Sequence, residues 1–238
     1  MTRNVDRKRV LGIIGGMGPY ADIEFLRLLH ERANAPCERD MIPVIYDGNC
    51  LRPDRSAFIT GKSRKSPLKS LRYSLKMLER NGAEVIVIPC NTAHFWYKAL
   101  TRLKRRATVM PDMTRAACKK CYEAGMSRVC VLSTDGTRYG DVYSEGLFRM
   151  GIDQVRCPPT VCEAVKSLIA SVKSGAKNDL TELEEHLSGI SCDGFLLACT
   201  ELSVAFYRTR EPSFAYVDAL DALACAASTA CGTFRVGE

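Results

Sequence analysis

Hydrophobic positions along the chain come in two alternating patterns. Short continuous apolar runs read as buried strands, and longer stretches with apolar residues three and four apart read as amphipathic helices. Val10–Ile14 is the first apolar run, and Asp22–Ala33 follows with Ile23, Leu26 and Leu29 in helical spacing. Ile42–Tyr46 is a second strand, Leu68–Asn81 a helix with Leu71, Leu75 and Leu78 on one face, and Val85–Ile88 a fully apolar strand. A helix is expected over Ala93–Leu103 and a short strand over Thr108–Met110. The pattern then restarts, with a helix over Met113–Ala124, a strand over Arg128–Ser133 and a polar turn over Thr134–Thr137. Helices follow over Tyr139–Met150, Glu163–Lys173 and Leu180–Leu187, and a strand over Phe195–Ala198. Ala215–Val217 is a last strand and Ala219–Ala230 a small-residue helix. The segment Asp47–Ser66 is polar and rich in Arg, Pro and Gly, and reads as a long loop of the kind that often carries function.

Repeated strand–helix–strand units predict an α/β fold with parallel sheets, helices on both faces and right-handed crossovers. There is an internal echo. One strand runs into Pro89-Cys90-Asn91-Thr92 and another into Ala198-Cys199-Thr200-Glu201, the two cysteines lying 109 positions apart. Two similar doubly wound lobes facing each other would set these cysteines on opposite sides of one cleft.

Composition narrows the function classes. The 238 residues are 46% hydrophobic and 26% charged, a globular balance that excludes a disordered or coiled-coil chain. No apolar run reaches the ~18 residues of a membrane span. The Gly-rich start lacks a secretory cleavage pattern, so a cytoplasmic protein is expected, with no membrane partner. Twelve cysteines in a chain of this size and setting are then mostly free thiols rather than a disulfide framework. The net charge of +7 comes partly from two basic clusters, Lys62–Arg72 and Arg102–Arg106. With no nucleic-acid-binding motif beside them they read as solvated faces, or as steering for a small anion, and no nucleic-acid partner is expected.

The chemistry concentrates at the two strand-end cysteines. In open α/β sheets ligands bind beyond the carboxyl ends of the strands. A helix N-terminus following the thiol favours its anion, and Asn91 and Thr92 can donate hydrogen bonds to a carboxylate. Two such thiols, each beside a threonine, suit removal of a proton from one face of a carbon and delivery to the other.

At this point the chain resembles the cofactor-independent aspartate/glutamate racemase superfamily, and is most similar to its aspartate racemase branch. The resemblance rests on Gly12-Ile-Ile-Gly-Gly-Met-Gly-Pro19, Pro53-Asp-Arg-Ser56, Pro89-Cys-Asn-Thr-Ala-His94, Thr134-Asp-Gly-Thr137, Val172-Lys-Ser-Gly175, Ala198-Cys-Thr-Glu201 and Val217-Asp218, in order over nearly the whole chain. It implies two lobes related by a pseudo-twofold, residues 1–108 with 214–238 forming the first and 109–213 the second. It implies that Cys90 and Cys199 are the catalytic thiols and that Arg55 and Lys173 bind substrate carboxylates. Asn91, Thr92, Ala93, Thr137 and Thr200 would line the α-carboxylate and amino end, with Met17 near the substrate. It further implies a homodimer, an acidic amino acid as substrate, and a need for neither pyridoxal phosphate nor a metal. Ser56 stands where the family more often has Thr. Asp47–Arg52 departs from the usual Asn-Asn-Pro run, and Arg52 adds a second cation there. Gly15–Gly18 lacks the acidic-Ser signature of the glutamate racemase branch.

Other signals are weaker. The first glycine turn does not have the spacing of a dinucleotide fingerprint. Cys118 and Cys121, a lone CxxC on a helix, read as incidental rather than as a zinc or redox pair. His94, four residues after Cys90, reads as a packing residue, and His30 and His186 as surface or packing. The competing functions are a sister isomerase, lyase or thiol hydrolase using one cysteine, and a degenerate binding protein for an acidic metabolite.

Overall fold

The computed structural model describes residues 8–176, 180–207 and 214–232. In the first half, β1 (Leu11–Ile14), α1 (Pro19–Ala33), β2 (Val44–Asp47), α2 (Arg55–Ile59), α3 (Leu68–Arg80), β3 (Val85–Val87) and α4 (Tyr97–Thr101) follow in order. The second half comprises α5 (Met113–Glu123), β4 (Arg128–Ser133), α6 (Asp135–Tyr139), α7 (Ser144–Arg149), β5 (Asp153–Val155), α8 (Pro159–Ser174), α9 (Thr181–Leu187), β6 (Gly194–Ala198), α10 (Thr200–Tyr207), β7 (Tyr216–Asp218) and α11 (Ala219–Cys231).

The strands form two wholly parallel sheets, β2-β1-β3 and β5-β4-β6-β7, as the α/β reading requires. In each sheet the strand order reverses direction once, at the β1/β3 boundary and at the β4/β6 boundary. Crossovers leave to opposite faces at such a boundary, so a crevice opens beyond the strand ends there. The loops after β1 and β3 carry Met17 and Cys90; those after β4 and β6 carry Thr134 and Cys199.

Several expected elements differ in detail. The long loop holds α2, whose Asp54 carboxylate caps the helix by accepting from the Ala57 N–H at 2.7 Å. Five residues are too few for a helical period to show. The helix expected over Ala93–Leu103 is a 3₁₀ turn over Thr92–Trp96 followed by α4. The strand expected at Thr108–Met110 contributes one parallel bridge, Val109 to Val85. The turn at Thr134–Thr137 is the start of α6, with the Thr134 hydroxyl accepting from the Thr137 N–H. The helix expected over Tyr139–Met150 is broken before α7, where Asp141 takes a left-handed conformation. β5 is short and exposed, so no apolar run announced it.

Of the segment 214–238 expected to return to the first lobe, residues 214–232 are described and 233–238 lie outside the described residues. β7 hydrogen-bonds to β6 in the second sheet. α11 packs on α1 and on α5, with Leu220, Leu223, Ala224 and Ala227 fully buried. Cys118 and Cys121 are likewise fully buried in this core, on α5.

α11 begins at an Asp218 cap whose Oδ1 accepts from the Leu220 N–H and the Ser203 hydroxyl, both at 2.7 Å. Burial pushes the Asp218 carboxyl up to about 6 from an ordinary 3.8. Between these values the unfolded chain has lost its proton while the folded chain still holds it. Stability therefore falls as pH rises from about 4 to 6, by at most about 3 kcal/mol from this group. Asp218→Asn keeps the acceptor and removes the ionisation. Its stability relative to the wild type, read from urea melts, is expected to be higher at pH 7 than at pH 4.

Candidate active site

The glycine turn after β1 is shaped by backbone and buried charge. Gly16 has φ +76°, and a Cβ there would stand 2.3 Å from the Asn49 backbone, so only glycine fits. Its N–H donates to Asp22 Oδ2 at 2.6 Å, and the Tyr46 hydroxyl donates to the same oxygen at 2.8 Å. Arg52, read from sequence as a second cation for the loop, is held through two of its nitrogens, its buried Nη1 having no partner. Its buried guanidinium pairs with Asp47 at 2.7 Å and donates to the Gly15 carbonyl at 3.2 Å, tying the loop after β2 to the glycine turn.

Beside this turn a small, partly open cavity of about 20 Å³ is lined by Met17, Arg55, Cys90, Asn91, Thr92, Lys173, Cys199 and Thr200, together with Asp54, Ser56, Thr134 and Glu201. That is room for about one water. A larger depression of about 300 Å³ adjoins it and shares Met17, Arg55, Lys173 and Glu201 as its rim. Eight of the ten residues expected at the site therefore meet in one place. The other two stand one step behind: the fully buried Ala93 gives its N–H to the Cys90 thiol, and the Thr137 hydroxyl bonds Thr92 at 2.9 Å.

The walls are held by polar contacts from both halves. The hydroxyls of Thr92, Thr134 and Thr137 form a triangle with sides of 2.9, 2.9 and 3.1 Å. The Tyr143 hydroxyl donates to Asn91 Oδ1, which leaves the Asn91 Nδ2 group without a partner. His94 accepts the Met113 N–H at Nε2, so its Nδ1–H donates to the Cys90 carbonyl, at 2.9 Å. It thus clamps the backbone of Cys90 to the start of α5 and does not touch the thiol as a base. Burial keeps it neutral, lowering its pKa.

Charge is distributed unevenly between the two thiols. Burial raises Cys90 above the ordinary thiol value; Arg55, the Ala93 N–H and Lys173 offset part of that rise, and Glu201 adds to it. Cys199 stands well above the ordinary thiol value because of burial and then the Glu201 carboxylate, to which its S–H donates at 3.0 Å. Lys173 Nζ lies 3.6 Å from Glu201 Oε1, an oxygen with no hydrogen bond. Arg55 is poorly satisfied: its bonds to the Pro53 and Met17 carbonyls are 3.5 and 3.4 Å long, and its Nε has no partner. Unpaired cationic and amide donors on one wall suit an anionic ligand.

Glu201 is the functional candidate that residue-by-residue reading passed over, although it stood in the Ala198–Glu201 segment. A signal was available in the other half: Gly18, at φ +146°, takes a conformation that side chains rarely adopt, with Glu201 Oε1 2.7 Å from where its Cβ would stand. The glycine turn and the Cys199 loop are in contact through that carboxylate.

Comparison with known proteins accords with this geometry. The chain is similar to the aspartate racemase of Picrophilus torridus, at 27% identity over 95% of each chain and a TM-score of 0.79. It is similar in fold to an aspartate racemase homologue from Pyrococcus horikoshii, at 21% identity over 91% of this chain and 96% of that one, with a TM-score of 0.69. A glutamate racemase from Francisella tularensis in complex with D-glutamate aligns at 17% identity over 94% of this chain and 79% of that one, with a TM-score of 0.68. The model of the Asp/Glu/hydantoin racemase family matches residues 14–230, and the chain belongs to that family.

Proposed function

We propose that the protein interconverts L- and D-aspartate by a two-base reaction in which Cys90 and Cys199 work on opposite faces of the α-carbon. The observation that carries this reading is the pair of strand-end thiols on the wall of one small cavity with Arg55 and Lys173. Cys90, with two cations and an N–H near its sulfur, is the thiol more easily ionised and takes the α-proton in one direction. Cys199, its S–H held toward Glu201, delivers a proton to the other face. In the reverse direction the roles exchange. Asn91 Nδ2 and the hydroxyls of Thr92 and Thr200 receive the α-carboxylate, and Arg55 with Lys173 receives the side-chain carboxylate. The volume of about 20 Å³ requires the lining groups to separate on substrate entry, and the Lys173–Glu201 contact is the rim that must part. Support for an acidic amino acid comes from the unpartnered Arg55 Nε and Asn91 Nδ2 donors and from the relative whose name specifies aspartate. A homodimer belongs to the same reading and is measurable by sedimentation.

The deciding experiment incubates the protein with single enantiomers of aspartate, glutamate and alanine in deuterated water. The other enantiomer of aspartate, carrying α-deuterium, is the expected product. Deuteration without inversion would replace the two-base reading with a one-thiol lyase or exchange reaction, and no reaction with any of them would remove the racemase reading.

A further inference from the structure

On the second half, a groove of about 770 Å³ that reaches Thr137 and Tyr143 behind the site above is walled in part by Arg138, Cys157 and Cys162. Cys157 follows β5 and Cys162 lies in the first turns of α8. The Cys157 thiol touches both the Cys162 thiol and the Cys130 thiol on β4. Cys162 Sγ also faces the Cys157 carbonyl at 3.8 Å. The Arg138 guanidinium donates one N–H to Cys162 Sγ and another to Asp135 Oδ1 at 2.6 Å. Among the described residues no group of three or more His, Cys, Asp and Glu is placed to hold a metal ion, so the three thiols are not a metal nest.

We infer that Cys157 and Cys162 form a reversible dithiol site for a hydroperoxide, with Cys162 attacking, Arg138 holding its sulfur and Cys157 resolving. Both thiols border the open groove, whereas Cys130 is fully buried behind them. Arg138 presents a charged donor to the sulfur that becomes anionic. Burial pushes Cys162 up to about 11, while the Cys130 thiol and then burial raise Cys157 further still, so Cys162 is the first of the two to ionise. Its thiolate attacks the peroxide, the O–O bond breaks, the alcohol or water leaves with the proton that the thiol gave up, and Cys162 becomes a sulfenic acid. The Cys157 sulfur then attacks the Cys162 sulfur, the S–O bond breaks, and water leaves with the Cys157 proton. Two thiols have supplied the two electrons that reduce one peroxide. The scarcity of thiolate at neutral pH makes the oxidation slow.

The test treats the reduced, full-length protein with hydrogen peroxide, blocks remaining thiols with an alkylating agent and maps the peptides by mass spectrometry. A Cys157–Cys162 link that dithiothreitol reverses is expected. In Cys157→Ser, Cys162 should accumulate as a sulfenic acid captured by dimedone, and Arg138→Met should slow the oxidation at least tenfold. The wild-type map needs no variant to fold. Both thiols remaining alkylated after the exposed Cys37 and Cys50 have oxidised would overturn the assignment, as would a Cys157–Cys130 link in its place.

Discussion

Cys199→Ala is expected to lose racemisation by about 10²–10⁴-fold, the range for removing one general acid or base. The mirrored variant, Cys90→Ala, should lose as much, because inversion in either direction needs both groups. The two variants should still differ. With Cys199 removed, Cys90 remains near Arg55 and Lys173 and can exchange the α-hydrogen of one enantiomer with solvent without inverting it. With Cys90 removed, Cys199 keeps its proton beside Glu201, and exchange should be slower. Chiral chromatography and α-deuteration, followed in parallel, separate these outcomes. Near wild-type racemisation by Cys199→Ala would end the two-base reading.

Arg55→Ala should remove most of the preference for acidic substrates. The wild-type guanidinium has long bonds to two carbonyls and a free Nε, so little local structure depends on it. A bound dicarboxylate would supply the bidentate partner it lacks. Truncating one member of such a charge pair typically costs about 2–5 kcal/mol, roughly 30-fold to 5,000-fold in kcat/KM. The fall should be specific to aspartate. An unchanged ratio of aspartate to alanine turnover would show that Arg55 is not the residue that recognises the side-chain carboxylate.

Much of the site was legible because parallel sheets tie function to a readable place. The apolar runs ending in Cys90 and Cys199 form β3 and β6, each beside the switch point of its sheet, where ligands collect. Arg55 was harder to place, since α2 is one short turn within a polar stretch. Only the Asp54 cap and the packing of α2 on α6 make it a helix. Arg52 misled for a related reason: a cation in a loop looks available until its partner, Asp47, is seen beside it. The supporting shell was the least visible. Tyr143 reaches Asn91 across 52 residues and Met113 reaches His94 across 19. Such contacts leave no periodic trace in a chain, because they depend on how the halves meet rather than on local propensity.

The packing of α11 has a consequence for biosynthesis. The three paired strands of the first sheet are all available once residue 87 has been made, but the largest share of the cover over α1 and α5 comes from residues 219–231, the rest from α10, α7 and β7. A nascent chain therefore carries an uncovered hydrophobic strip, and two half-formed sets of thiols, for most of its synthesis. Parallel pairing is slow to form because its contacts are distant in sequence. The interval before α11 docks is thus the period in which this protein most needs a chaperone, and truncation ahead of Ala219 should send it to aggregates rather than to a smaller folded product.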